Sequence, residues 1–160
     1  MIAPNRNALA ARVLADELAR WGVQQVCLSP GSRSAPLALA FHAEPRLQIT
    51  VHTDERCGAF FALGLARASG RPVVLVCTSG TAGANYLPAI CEAHASRIPL
   101  VILTADRPER LRDVGAPQTM PQAALFGPFV RFSQDIGLPQ PEARWLRWLR
   151  GRVGRALEAA

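Results

Sequence analysis

The sequence predicts an α/β fold, a three-layer α/β/α domain around a mostly parallel sheet, and three observations carry that expectation. Short apolar runs of strand length recur along the chain, helical segments stand between them, and the most apolar run, Val73-Val74-Leu75-Val76, is continuous rather than alternating. A continuous run is what a strand needs when helices cover both of its faces. Alternation of helix and strand in turn favours parallel pairing through crossover helices. A chain of 160 residues, 49% hydrophobic and 19% charged, fits a single globular domain over residues 1–160.

Taken in order, Ala10, Leu14, Leu18 and Trp21 fall on one helical face, which predicts a first helix near residues 7–21. Asn5 or Asn7 can cap it and Gly22 can end it. Strands are expected at 25–28, 47–51, 72–77, 99–103 and 129–132, and helices at 35–42, 57–68, 82–95 and 145–159. The segment from Cys57 to Ala66 is apolar nearly all round. Such a helix has to be covered on more than one side, and a subunit contact is one way to do it. The last helix puts Trp145, Leu149, Val153 and Ala156 on one face and ends without a stop residue. That ending suggests a fragment of a longer protein.

All 18 basic residues are arginine, and the net charge is +6. A planar guanidinium grips carboxylate or phosphate through two parallel bonds, so anionic partners are favoured. No run reaches the roughly 18 apolar residues of a membrane helix and the first ten residues lack a signal-peptide core, which points to a cytoplasmic protein without a membrane span. Cys27, Cys57, Cys77 and Cys91 show no metal-ligand spacing. They are read as reduced and mostly buried, and no metal ligand is assigned in the chain.

Ligands of an open parallel sheet bind beyond the carboxyl ends of its strands. The four turns there are polar: Ser29 to Ser34, His52 to Arg56, Thr78 to Gly83, and Thr104 to Pro108. The first joins backbone N–H groups, hydroxyls and Arg33 at a helix start, which can bind an anion or can be a plain structural turn. Glu55 heads an apolar helix that Thr53 or Asp54 can cap. An acid there suits the helix dipole for stability alone, whereas burial of the helix would desolvate it, the condition for acid–base work. Ser79-Gly80-Thr81 opens another helix. No phosphate-loop pattern and no G-x-G-x-x-G motif occurs, so nucleotide triphosphate and dinucleotide readings lose their support. Arg97 precedes a strand at the opposite end of the sheet and is taken as structural, with a remote effector site as the other reading.

Together these turns resemble one thiamine diphosphate enzyme family of menaquinone synthesis, the 2-succinyl-5-enolpyruvyl-6-hydroxy-3-cyclohexene-1-carboxylate synthases. The resemblance rests on Pro30-Gly31-Ser32-Arg33, Asp54-Glu55-Arg56, Leu63-Gly64-Leu65-Ala66, Thr78-Ser79-Gly80-Thr81-Ala82, Ala84-Asn85, Asp106-Arg107-Pro108, and Gly115-Ala116 followed by Gln118. It covers nearly the whole chain. The glutamate helix and the Thr-Ser-Gly turn belong to thiamine diphosphate enzymes at large, acetohydroxyacid synthases included. Ser32-Arg33 and Asp106-Arg107-Pro108 narrow the choice.

The resemblance implies an amino-terminal domain that binds the aminopyrimidine of thiamine diphosphate, with Glu55, Thr78, Ser79 and Gly80 as cofactor contacts. Glu55 would bond to a ring nitrogen and relay the proton that activates the cofactor. The implied substrates are 2-oxoglutarate, which is decarboxylated, and isochorismate, which accepts the succinyl unit. Ser32, Arg33, Arg107 and Gln118 are the implied substrate contacts, Gln118 near the reacting centre. Pro117 stands where the family often has Asn, which removes an amide and a backbone donor before Gln118. The diphosphate and Mg2+ or Mn2+ would be held by a Gly-Asp-Gly domain absent from this chain and supplied by a second subunit of a homodimer or homotetramer, so the chain alone is expected to be inactive. The alternatives are another thiamine diphosphate lyase or synthase, and a non-catalytic module whose basic last helix binds RNA or a partner protein. No nucleic-acid motif favours the latter, so no nucleic acid is expected among the partners.

Overall fold

In the computed structural model, which describes residues 5–160, four parallel strands form one sheet in the order β2-β1-β3-β4. They are β1 (Gln25–Leu28), β2 (Gln48–Val51), β3 (Val73–Cys77) and β4 (Leu100–Thr104). The helices are α1 (Arg6–Arg20), α2 (Ala35–His42), α3 (Glu55–Ser69), α4 (Leu87–Ser96) and α5 (Ala143–Ala159). Because β1 pairs in parallel with both β2 and β3, and β3 with β4, every strand ends at the same edge of the sheet.

The continuous apolar run reads as the sequence suggested. All five residues of β3 are buried, and they divide by the two-residue strand period. Val74 and Val76 face a core made with α1, α2 and α5, which includes Leu18, Phe41 and Leu149. Val73, Leu75 and Cys77 face a second core that includes Ala59, Ala62, Tyr86 and Ile90. The outcome is the expected α/β/α arrangement, with β3 as its central strand.

Local chemistry sets the ends of the elements. Of the two candidate caps for α1, Asn5 serves, its side-chain oxygen accepting from the Ala8 N–H at 3.0 Å. Gly22 follows the helix with φ +85°, a conformation that costs glycine nothing. Asp54 caps α3 by accepting from Arg56 N and Cys57 N. Residues 82–86, expected as the start of a helix over 82–95, lie in 3₁₀ turns spanning Gly80–Tyr86 instead, and α4 begins only at Leu87. Pro88 in the first turn of α4 suits a helix start, where its missing N–H is not needed.

The strand expected at 129–132 does not form. Gly127–Phe129 is a 3₁₀ turn, and Phe129 meets the ring of His94 edge-on at 5.9 Å. Pro128 has no N–H to give to a ladder. The expectation of mostly buried cysteines holds for Cys27 and Cys77 but fails for Cys57, which is exposed, and for Cys91, which is half-buried. Cys57 lies in the first turn of α3, before that helix settles onto the sheet with Gly58, Ala59 and Ala62.

α5 docks on α1. Leu149 and Val153 are buried there, and Gly154 lies so close to Trp21 that a Cβ would come within 2.9 Å of the indole. Beside that contact Asp16 accepts from Arg20, Arg46 and Arg150 at 2.8–2.9 Å, and Arg150 also pairs with Glu17. These guanidiniums, Arg46 foremost, hold the Asp16 carboxyl well below the usual carboxylate range despite its partial burial.

Candidate functional site

The parallel topology gathers all four polar turns at one end of the sheet. Their order across it is that of the strands: the His52 turn, the Ser29 turn, the Thr78 turn and the Thr104 turn.

The Ser29 and Thr78 turns touch. Gly31 is extended, with φ −176°, and packs so tightly that a Cβ on it would lie 2.4 Å from Thr78 Cβ. Below them, the Val76 carbonyl accepts from both the Ser29 N–H at 2.8 Å and the Tyr86 hydroxyl at 2.9 Å. Tyr86 and Cys77 are fully buried. Burial pushes the Cys77 thiol up to about 12 and raises the Tyr86 hydroxyl, and the nearby charge of Glu55 adds to both rises. Glu55 is therefore within electrostatic reach of the floor under the Thr78 turn.

Ser79 is the hub of the site. Its side chain is buried, its Oγ accepts from Arg107 Nη1 at 2.6 Å, and its carbonyl accepts from Gln118 Nε2 at 2.9 Å. Gly80 follows with φ +82°, where a Cβ would stand 2.9 Å from Gln118 Cγ. Its N–H donates to Gln122 Oε1 at 2.8 Å, and Gln122 Nε2 donates to the Ala105 carbonyl at 2.9 Å. Thr78-Ser79-Gly80, Arg107 and Gln118 thus come together as one unit. Gln122 is a member of this unit that the sequence reading missed. A glutamine in an irregular stretch carries no periodic or motif signal, and only the long-range contact marks it.

Gln118 also has a left-handed backbone, with φ +57°. Pro117 before it has the fixed φ that suits the first central position of a tight turn, and a positive φ at the second is the type II pattern. Proline at 117 therefore favours the turn that aims Gln118 at Ser79.

Ser32 and Arg33 are exposed in a short 3₁₀ turn after Gly31. Arg33 and Arg107 line one cavity of about 1030 Å³. That cavity runs mainly along the outer edge of β4 and between α1 and α5, and only its Arg33 and Arg107 end belongs to the four turns. Of the Arg107 guanidinium, only Nη1 is bonded to another side chain among the described residues.

Glu55 opens α3 at the carboxyl end of β2 and is half-exposed. The expected burial is not found in the single chain, because the sheet covers α3 from Gly58 onward and not its first residue. Arg56 pairs with Asp54, and among the described residues Glu55 has no hydrogen-bond or ion-pair partner. The outer face of α3 leaves Phe60 and Phe61 nearly half-exposed. His52 meets Phe61 at a tilt of 47° with ring centroids 4.8 Å apart and has a buried, unbonded Nε2. Arg97 ends α4 at the opposite edge of the sheet, with φ 54°. No helix among the described residues is long and apolar enough to cross a membrane.

Comparison with known proteins agrees with this geometry. Residues 9–125 match the family described as "Thiamine pyrophosphate enzyme, N-terminal TPP binding domain". The chain is 54% identical over 159 residues to the 2-succinyl-5-enolpyruvyl-6-hydroxy-3-cyclohexene-1-carboxylate synthase of Roseiflexus castenholzii, covering 98% of this chain and 27% of the relative. The protein of the same name from Haloquadratum walsbyi is 52% identical over 160 residues, 100% of this chain and 26% of the relative. That of Geobacillus kaustophilus is 54% identical over 150 residues, 94% and 26%. The chain spans about a quarter of the length of these relatives. With the matched segment reaching from α1 to the loop that carries Gln118 and Gln122, the chain belongs to the family of thiamine pyrophosphate enzyme N-terminal domains, among the 2-succinyl-5-enolpyruvyl-6-hydroxy-3-cyclohexene-1-carboxylate synthases.

Proposed function

We propose that this chain is the pyrimidine-binding part of a thiamine diphosphate-dependent synthase that decarboxylates 2-oxoglutarate and adds the succinyl unit to isochorismate, a step of menaquinone biosynthesis. The observation that carries the reading is the set of polar turns at the sheet's carboxyl edge. One of them holds a half-exposed carboxylate without a protein partner, and others hold an arginine bonded to a buried serine. An aminopyrimidine offers ring nitrogens to such a carboxylate, so the residues present fit the group. Thiamine diphosphate, when bound, supplies the carbon nucleophile and the electron sink for decarboxylation of a 2-oxo acid.

Within this chain Glu55 holds the proton at a pyrimidine ring nitrogen. Thr78, Ser79 and Gly80 form the wall beside the ring. Arg33 and Arg107, with the Ser32 hydroxyl, bind the carboxylates of isochorismate. A charged hydrogen bond of this kind contributes roughly 1.5–3 kcal/mol. Gln118, fixed by Ser79 and by its own turn, orients the acceptor near the reacting carbon. The diphosphate and its Mg2+ or Mn2+ are assigned to another domain of a second subunit in a cytoplasmic homodimer or homotetramer. The chain by itself is then inactive.

The test is product formation from 2-oxoglutarate and isochorismate by the full-length enzyme carrying Glu55→Gln. Loss of activity by about 100-fold or more is expected from removal of an acid–base group. Turnover at the unmodified rate refutes the relay.

A further inference from the structure

We infer that Arg112, anchored by Asp135, is a positioning residue that holds Arg107 ready for an acidic substrate. The inference rests on the substrate role proposed above for Arg107 and assigns Arg112 no substrate contact of its own.

Each of the three nitrogens of the Arg112 guanidinium is committed. Nη1 donates to Asp135 Oδ2 at 2.7 Å, Nη2 pairs with Asp106 Oδ2 at 3.0 Å, and Nε donates to the Arg107 carbonyl at 3.3 Å. Asp135 is fixed in turn, because its Oδ1 accepts from the Gly137 N–H at 2.9 Å. The other oxygen of Asp106 accepts from the Arg107 N–H at 2.7 Å. The residue that carries the proposed substrate guanidinium is therefore held at both its amide and its carbonyl, while its side chain is held by Ser79.

The arrangement acts in two ways. The first is geometric: residues 105–142 contain no α-helix or strand, so beyond a few local backbone bonds, such as that from the Leu111 N–H to the Pro108 carbonyl, side-chain contacts fix the Asp106-Arg107-Pro108 turn. Arg112 ties that turn to Asp135, which lies 23 residues beyond Arg112. The second is electrostatic. Asp106 adjoins Arg107 in sequence, and a carboxylate there competes with an anionic substrate for the Arg107 guanidinium. Arg112 occupies that carboxylate. Asp135 in turn raises the proton affinity of Arg112 and is itself lowered by it, so both remain charged over the working range. A lysine could supply the charge but not three bonds in one plane.

The experiment uses the full-length enzyme with Arg112→Gln, Asp135→Asn, Arg107→Ala and the double variant Arg107→Ala/Arg112→Gln. KM for isochorismate is measured beside the rate of 2-oxoglutarate decarboxylation followed with an artificial electron acceptor. The expected result is a rise of about tenfold in KM for isochorismate with Arg112→Gln, and a smaller rise with Asp135→Asn. Decarboxylation stays within about twofold, and Arg112→Gln adds less than about twofold once Arg107 is alanine, since the two act through one contact. Asp135→Asn keeps the side-chain volume and the bond from Gly137, and it decides the matter should Arg112→Gln fail to fold.

Equal effects of Arg112→Gln with and without Arg107 overturn the inference. So does parallel loss in both half-reactions, which marks a general structural defect. If Arg107→Ala raises KM and neither Arg112→Gln nor Asp135→Asn does, the inference alone fails. If Arg107→Ala leaves KM unchanged, the substrate role of Arg107 fails and the inference falls with it.

Discussion

Gly31→Ala tests whether the Ser29 and Thr78 turns are locked together. The backbone of Gly31 is extended, a conformation any residue adopts, so the substitution adds no torsional strain and its whole effect is steric. A methyl group there would stand 2.4 Å from Thr78 Cβ and 2.8 Å from both Thr78 Cγ2 and Oγ1. These atoms cannot all be evaded by a rotation about χ1, since Cβ does not move with it, and one of the two turns has to shift. Overpacking of this kind costs about 1–3 kcal/mol. For a chain of this size each kcal/mol lowers the melting temperature by about 2–4 °C, which gives a drop of about 2–12 °C for Gly31→Ala. Circular dichroism melts of the single variants and of Gly31→Ala/Thr78→Gly complete a cycle. In the Thr78→Gly background all three clashing atoms are gone, and the cost of Gly31→Ala is expected to vanish. An equal drop in both backgrounds would show that the turns do not meet and would refute the packing on which the site is built.

Three further outcomes are expected. Asp16→Asn lowers stability at neutral pH. Because the folded carboxyl titrates below its ordinary 3.8, the Asp16 contribution is complete above that value and is lost as pH falls through the folded one. The gap between parent and variant in urea midpoint therefore narrows from about pH 5 to about pH 2, and a constant gap contradicts the reading. Tyr86→Phe removes the hydroxyl bond to the Val76 carbonyl, which keeps its bond from Ser29, so a cost of only about 1 kcal/mol is expected in chemical denaturation; a loss above about 3 kcal/mol would show that the hydroxyl does more. Iodoacetamide at pH 8 should modify Cys57 first and leave Cys27 and Cys77 untouched in the native state, read by peptide mass spectrometry, because burial raises both buried thiols; early labelling of Cys77 contradicts that burial.

What the sequence made legible follows from periodicity and from parallel topology. The run Val73-Val74-Leu75-Val76 identified the central strand, and the alternation of elements identified the edge on which chemistry should collect. Asp54 and Glu55 before an apolar stretch located the start of α3 to within two residues. Between Cys77 and Leu87 the helical expectation failed in detail, since small residues leave little side-chain packing to choose between 3₁₀ and α geometry. The apolar stretch at 129–132 misled because hydrophobic content alone does not provide a strand partner, and Gly127–Phe129 takes a 3₁₀ turn instead. Gln122, Arg112 and Asp135 were illegible for another reason: their meaning lies in contacts across 17 to 42 residues, which no local pattern encodes. The exposure of Glu55 was misjudged because a helix can be well packed while its first residue is not.

The burial of β3 on both faces separates the site into a slow part and a fast part. Amide protons of Val74 to Cys77 can exchange with solvent only when the whole sheet opens, whereas those of residues 107–126 need only break local turns and side-chain ties. Ser79 is carried directly on the slow part, and Arg107 and Gln118 belong to the fast one. An anionic ligand that bridges them can therefore gain order in the covering loop without remaking the platform beneath it, and deuterium uptake confined to that loop would be its thermodynamic signature.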